Sequence, residues 1–209
     1  MDPLSSFFAV AVVSLLAAIS PGPDFCIVLK NSLSYSRKSG LLTALGVSLA
    51  LIVHLSYTLV GIGVLIAESP FFYSLLKYTG VAYLIYIGLS SIISSFKTAP
   101  SLDLEYSKSS NQLSSRAALT QGFLTNLLNP KAAIFFISLF SQFIDTNTPV
   151  FVRVEYAFIN WSITLSWFLF LSYLITGKGF IEKMGRFRLY IDRVMGGALM
   201  LLGFKLLFV

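Results

Sequence analysis

Apolar residues along this chain do not alternate with polar ones; they run in six continuous blocks parted by short polar segments. A helix needs about 20 predominantly apolar residues to cross the hydrocarbon core of a bilayer. Blocks of that size lie at Leu4 to Leu33, Leu41 to Ala67, Phe71 to Ser95, Ala117 to Ile144, Tyr156 to Gly177 and Tyr190 to Val209. The second holds no charged residue and only His54 as a titrating group near neutral pH. The third holds Lys77 alone and the fifth no charge at all. Each block predicts one membrane-spanning helix.

Between the third and fourth blocks, Phe96 to Arg116 is Ser-rich and charged and shows no helical apolar period, which predicts a loop. It divides the chain into residues 1–95, a loop 96–116 and residues 117–209, with three spans on either side. An odd number of spans per half puts the two halves in opposite orientations, so the expected architecture is all-α, six transmembrane helices arranged as two inverted three-helix repeats. Internal likeness falls in matching places. Ser20-Pro21 interrupts the first span and Asn129-Pro130 the fourth, while Gly80-Val81-Ala82-Tyr83-Leu84 to Gly88 resembles Gly196-Gly197-Ala198-Leu199 to Gly203.

Composition agrees with lipid as the solvent. Of the 209 residues 56% are hydrophobic and 11% charged, against about 25% charged in soluble domains. The net charge of +6 could suggest nucleic acid, but a basic face on a folded domain is missing; Lys and Arg gather in the segments between apolar blocks. One side of the expected bundle receives Lys30 to Lys38, Lys97 to Arg116 and Lys178 to Arg193, and the other only Arg153. By the positive-inside rule the first side is cytoplasmic and both termini lie outside. The apolar start, Leu4 to Ser20, lacks a basic leader and reads as a retained span. Cys26 is the sole cysteine, so no intrachain disulfide or CxxC pair exists. Neither a cluster of metal-ligating residues nor a Ser-His-Asp arrangement is evident, and no enzyme activity, metal or cofactor is expected.

The candidate chemistry sits at the two breaks. Pro21 and Pro23 remove helical N–H donors, and Gly22 permits backbone angles other residues adopt only at a cost. Pro130 frees the Asn126 carbonyl and pushes Asn129 away from helical geometry. Unpaired backbone groups at membrane depth survive only where protein or a water-filled cavity covers them. At 1.5 Å per residue both breaks lie about 20–25 Å along their spans, from opposite sides, and so near the bilayer middle. Asp24 and Lys131 follow them directly. Ionisable residues at that depth are functional candidates. Asp24 has a second possible role as a cap on the restarted half-helix. For Lys131 the helix dipole is unfavourable, which leaves either a partner or ligand, with Asp24 expected to meet it across the pathway, or snorkelling of its stem to an interface. His54 could relay protons or donate one hydrogen bond within a bundle. Tyr57, Tyr83, Tyr86, Gln121, Asn160 and Glu155 offer further polar groups. Gly40, Ala44 and Ser48, with Gly46 and Ala50, form a small-residue stripe suited to close helix packing.

Taken together, Ser20-Pro21-Gly22-Pro23-Asp24, Gly40 through Gly46, Gly80 through Gly88 and Asn126-Leu127-Leu128-Asn129-Pro130-Lys131 resemble the LysE/RhtB family of amino-acid exporters over essentially the whole chain. The resemblance implies a secondary transporter that moves amino acids or close derivatives, such as homoserine, threonine or basic amino acids, out across a bacterial inner membrane, driven by protons or the membrane potential. It implies functional roles for Pro21, Gly22, Pro23, Asp24, Asn129, Pro130 and Lys131. Expected partners are an amino-acid substrate, a coupling proton, the lipid bilayer and a second copy of the chain in a homodimer. The alternatives are an exporter of another small metabolite or ion, or a membrane scaffold that transports nothing.

Overall fold

A computed structural model describes residues 3–20, 22–96, 113–175 and 178–207, so Pro21 and most of the central polar stretch lie outside it. The described residues form eight helices and no strand. They are α1 (Pro3–Ile19), α2 (Pro23–Ser34), α3 (Arg37–Glu68), α4 (Pro70–Phe96), α5 (Ser115–Leu127), α6 (Pro130–Phe143), α7 (Val150–Leu174) and α8 (Lys178–Leu207). Helices α3, α4 and α7 are each long and apolar enough to cross a membrane. The pairs α1/α2 and α5/α6 meet the same test as bent units, with bends of 54° and 57° at their breaks, which gives up to five candidate spans.

Local signals account for the helix ends. Ser36 caps α3 by accepting from the Ser39 N–H, and Ser114 caps α5 by accepting from Ala117. Helix α7 starts at Val150, before the apolar block at Tyr156, because Pro149 directly precedes it and does not interrupt it. Helix α8 differs from the expectation of a loop followed by a short sixth span. Its backbone is already helical at Lys178 and continues through the charged segment for 30 residues. Lys and Arg are good helix formers, and no proline interrupts the segment. The same charges keep α8 out of the apolar class of α3, α4 and α7.

Glycines set the closest approaches. A Cβ added to Gly46 would lie 2.0 Å from the Leu119 carbonyl oxygen, and one on Gly122 would lie 2.1 Å from that of Thr43, so α3 and α5 meet backbone to backbone. The stripe expected to pack does so: Gly40, Ala44 and Ser48 are all buried. The two glycine segments that resemble each other pack together where α4 meets α8; a Cβ on Gly196 would lie 2.5 Å from the Gly88 carbonyl oxygen.

Two apolar clusters hold the bundle. The larger joins Val10, Leu51, Leu84, Leu139, Phe140 and Leu199, and the smaller joins Phe25, Val28, Val47 and Phe168. The outer faces of α3, α4 and α7 leave Leu49, Val60, Phe71, Tyr86 and Phe158 exposed, an apolar surface that suits lipid. Several hydroxyls inside the helices are satisfied locally, Ser48 donating to the Ala44 carbonyl and Ser172 to that of Phe168. A buried amide, Asn31, donates to Thr43 Oγ1 and Gln121 Oε1, both at 2.9 Å, and so ties α2 to α3 and α5.

Candidate functional site

The first break restarts as α2 at Pro23, with Gly22 as its N-cap at φ −153° and ψ −176°. This is extended backbone that any residue adopts, so the special glycine geometry expected at Gly22 is absent. No side chain caps the restart. Asp24 therefore does not act as the cap that its position allowed.

Its carboxylate reaches the other broken helix instead. Asp24 Oδ2 accepts from Asn126 Nδ2 at 3.0 Å and from Asn129 Nδ2 at 3.3 Å. Both asparagines belong to the second break and are buried, with 3% and 8% of their surface exposed. Hydrogen bonds to an ionised group are the stronger kind, about 1.5–3 kcal/mol each. The two breaks thus meet through one carboxylate.

At the second break, Asn129 is held in extended backbone, φ −83° and ψ 101°, as the following Pro130 requires. Its Oδ1 caps α6 by accepting from the N–H groups of Lys131 at 3.1 Å and Ala132 at 3.4 Å. The Asn126 carbonyl, freed by Pro130, accepts from the Asn129 N–H at 2.9 Å and from His54 Nε2 at 2.9 Å. A carbonyl only accepts, so His54 Nε2 carries a proton; in the neutral ring Nδ1 then accepts from the Tyr57 hydroxyl. His54 is 2% exposed and covers the freed carbonyl from α3. Of the two roles open to it in the sequence, the structure displays the hydrogen-bonding one.

These groups border a cavity of about 90 Å³ where the two apolar clusters meet. Gly22, Pro23 and Asp24 come from the first break, Asn126, Asn129 and Lys131 from the second. Pro130 begins α6 beside them, and Pro21 lies outside the described residues. Leu51, Phe135 and Phe168 supply apolar wall. His54 is not among the lining residues; it stands behind Asn126. Lys131 is exposed and shares the cavity with Asp24, but no ion pair joins them. The wall also carries Ser14, Asn160 and Thr164. Asn160 was one of several scattered polar candidates, and nothing in the apolar run around Ser14 singled that residue out.

Long lipid-compatible helices, with two of their number broken around one largely apolar cavity bordered by a half-buried carboxylate, have the build of a membrane transporter. The chain belongs to the LysE type translocator family, whose model matches residues 15–209. It is 32% identical over 208 residues to a Bacillus subtilis protein called uncharacterized membrane protein YrhP, which covers 97% of this chain and 98% of the relative. It is 30% identical over 197 residues to the threonine efflux protein of Escherichia coli K12, covering 92% of this chain and 93% of that one. The threonine efflux protein of Salmonella typhi is similar to the same degree, 30% over 197 residues. No solved structure matches the chain. The chain is thus a multi-pass membrane protein of a translocator family.

Proposed function

We propose that the protein is a secondary transporter that exports amino acids or close derivatives across the bacterial inner membrane, driven by protons or the membrane potential. The observation that carries this reading is Asp24, a half-buried carboxylate at the edge of the cavity, held by amides of the opposite broken helix. A carboxylate suits the ammonium end of an amino acid or a coupling proton. The uncapped start of α2 and Lys131 offer positive potential for the carboxylate end. The threonine efflux proteins among the relatives favour a small amino acid as cargo.

The same reading takes the spans as six, in two inverted repeats, with both termini outside and residues 96–116 inside. Helix α8 is the sixth span. Two broken pairs in corresponding places support the repeats, as does the packing of α1 on α7 beside that of α5 on α3, since exchanging the halves exchanges these two contacts. In a background with Cys26 replaced, single cysteines at Ser109 and Thr148 react with an impermeant thiol reagent from opposite faces. Reaction of both from outside contradicts this topology.

Amino-acid pools inside and outside cells, with and without expression, test the export itself. Under challenge with threonine-containing dipeptides, expression lowers internal threonine and raises it in the medium. Unchanged pools for every amino acid overturn the proposal.

A further inference from the structure

The cavity shows a pattern in its unmatched groups. Three buried side-chain oxygens on its wall residues have no donor: Asp24 Oδ1, Asn126 Oδ1 and Asn160 Oδ1. They come from α2, α5 and α7. Among the described residues the other buried side-chain oxygens in this condition are those of Asn31 and Thr58, and neither residue lines the cavity.

The partners of the same side chains explain which end of each is left over. Asp24 engages its other oxygen with the two asparagine amides. Asn126 uses its N–H toward Asp24. Asn160, 1% exposed, directs its N–H to Ser14 Oγ at 2.7 Å, which ties α7 to α1 and turns the amide oxygen the other way. A buried acceptor without a donor is destabilising. Three residues that line one cavity each keep such an acceptor, one of them on a carboxylate, and this set matches a cation that carries several donors. A primary ammonium has three N–H bonds and one positive charge.

We propose that Asn160 is a specificity-determining residue of the transport site: with Asp24 and Asn126 it accepts the three N–H bonds of a primary ammonium. The inference rests on the reading of this cavity as the amino-acid site. It goes further in naming the chemical class, primary amino acids, and in excluding N-methylated ones, which present too few N–H bonds for three acceptors. Methylation leaves one acceptor buried and unmatched, and rejection of such ligands is steep.

Proteoliposomes loaded with threonine, exchanging against labelled threonine, give the test, with threonine and N-methylthreonine as competitors. In the unaltered protein, N-methylation weakens competition by about tenfold or more. Asn160→Leu weakens threonine by about ten- to a hundredfold, the value of one hydrogen bond to a charged group. The same change affects N-methylthreonine far less, so the selectivity ratio collapses. Asn160→Asp restores the ratio. A purely structural role for Asn160 weakens both ligands alike and leaves the ratio unmoved; that result, or equal competition by the two ligands in the unaltered protein, overturns the inference. Should Asn160→Leu fail to reach the membrane, Asn160→Ser carries the same ratio test. Exchange of threonine with an unmoved ratio removes this inference alone, whereas an unaltered protein that exchanges no amino acid removes the transport reading with it.

Discussion

At the break between α1 and α2 the chain passes through extended backbone at Gly22, and no side chain caps the restart. At the break between α5 and α6, Asn129 caps the restart twice over and His54 covers the freed Asn126 carbonyl. The second break caps its own restart through Asn129 and draws on α3 for the freed carbonyl. The first supplies a charge, Asp24, and depends on the second for that charge's partners. A preformed set of amides and a carboxylate docked against it make an asymmetric pair, although the two bends are nearly equal, 54° and 57°. The carboxyl group thus sits on the half-helix whose restart has no side-chain cap of its own.

Replacing the charge has the largest expected effect. Asp24→Asn keeps a side-chain oxygen for the asparagine amides and removes the group that attracts a cation, so threonine exchange in proteoliposomes falls to background while membrane insertion persists. Normal exchange in this variant removes the carboxylate from the mechanism. Next comes the second break. Asn129→Ala deletes the cap of α6, about 1 kcal/mol, and one hydrogen bond to a charged group, about 1.5–3 kcal/mol. Thermal unfolding in detergent should therefore show a loss of about 2.5–4 kcal/mol. A change below about 0.5 kcal/mol contradicts the roles given to this side chain. The smallest effect belongs to the first break. A Cβ on Gly22 has nothing nearer than the Ser20 carbonyl oxygen at 4.0 Å, and the backbone there is extended. Gly22→Ala should stay within about 0.5 kcal/mol in the same measurement. A larger loss shows that the break holds a glycine-dependent conformation in another transport state.

Much of this was legible in the sequence because lipid imposes strict terms. The apolar blocks of α3, α4 and α7 reveal themselves by length, since a shorter or more polar run does not cross hydrocarbon. Pro23 and Pro130 mark the restarts because proline at the first helical turn loses no bond there. The freed Asn126 carbonyl and the non-helical Asn129 follow from Pro130 alone. What fills that carbonyl does not: His54 is 72 residues away along the chain, and only packing of α3 on α6 and α5 brings it there. The direction of the Asp24 side chain was equally hidden, since a carboxylate in a first turn ordinarily serves its own helix. Gly22 misled because its residue type permits unusual angles that the backbone here does not use. Helix α8 began earlier than its apolar block, for helical backbone tolerates Lys and Arg that the hydropathy window does not. The Ser14–Asn160 contact joins residues 146 apart, each unremarkable in its own run.

In the proposed function the cavity between the two breaks takes the transported amino acid. Ala132 lies on its wall in the first turn of α6. With Cys26 replaced by serine, the rate at which a methanethiosulfonate reagent modifies Ala132→Cys measures access to that wall directly. Threonine should slow this reaction several-fold and leave a cysteine at Ser162 unaffected, and protection at Ala132 should disappear when Asp24→Asn is added. A modification rate at Ala132→Cys that threonine does not change, in protein that still exchanges threonine, would contradict it.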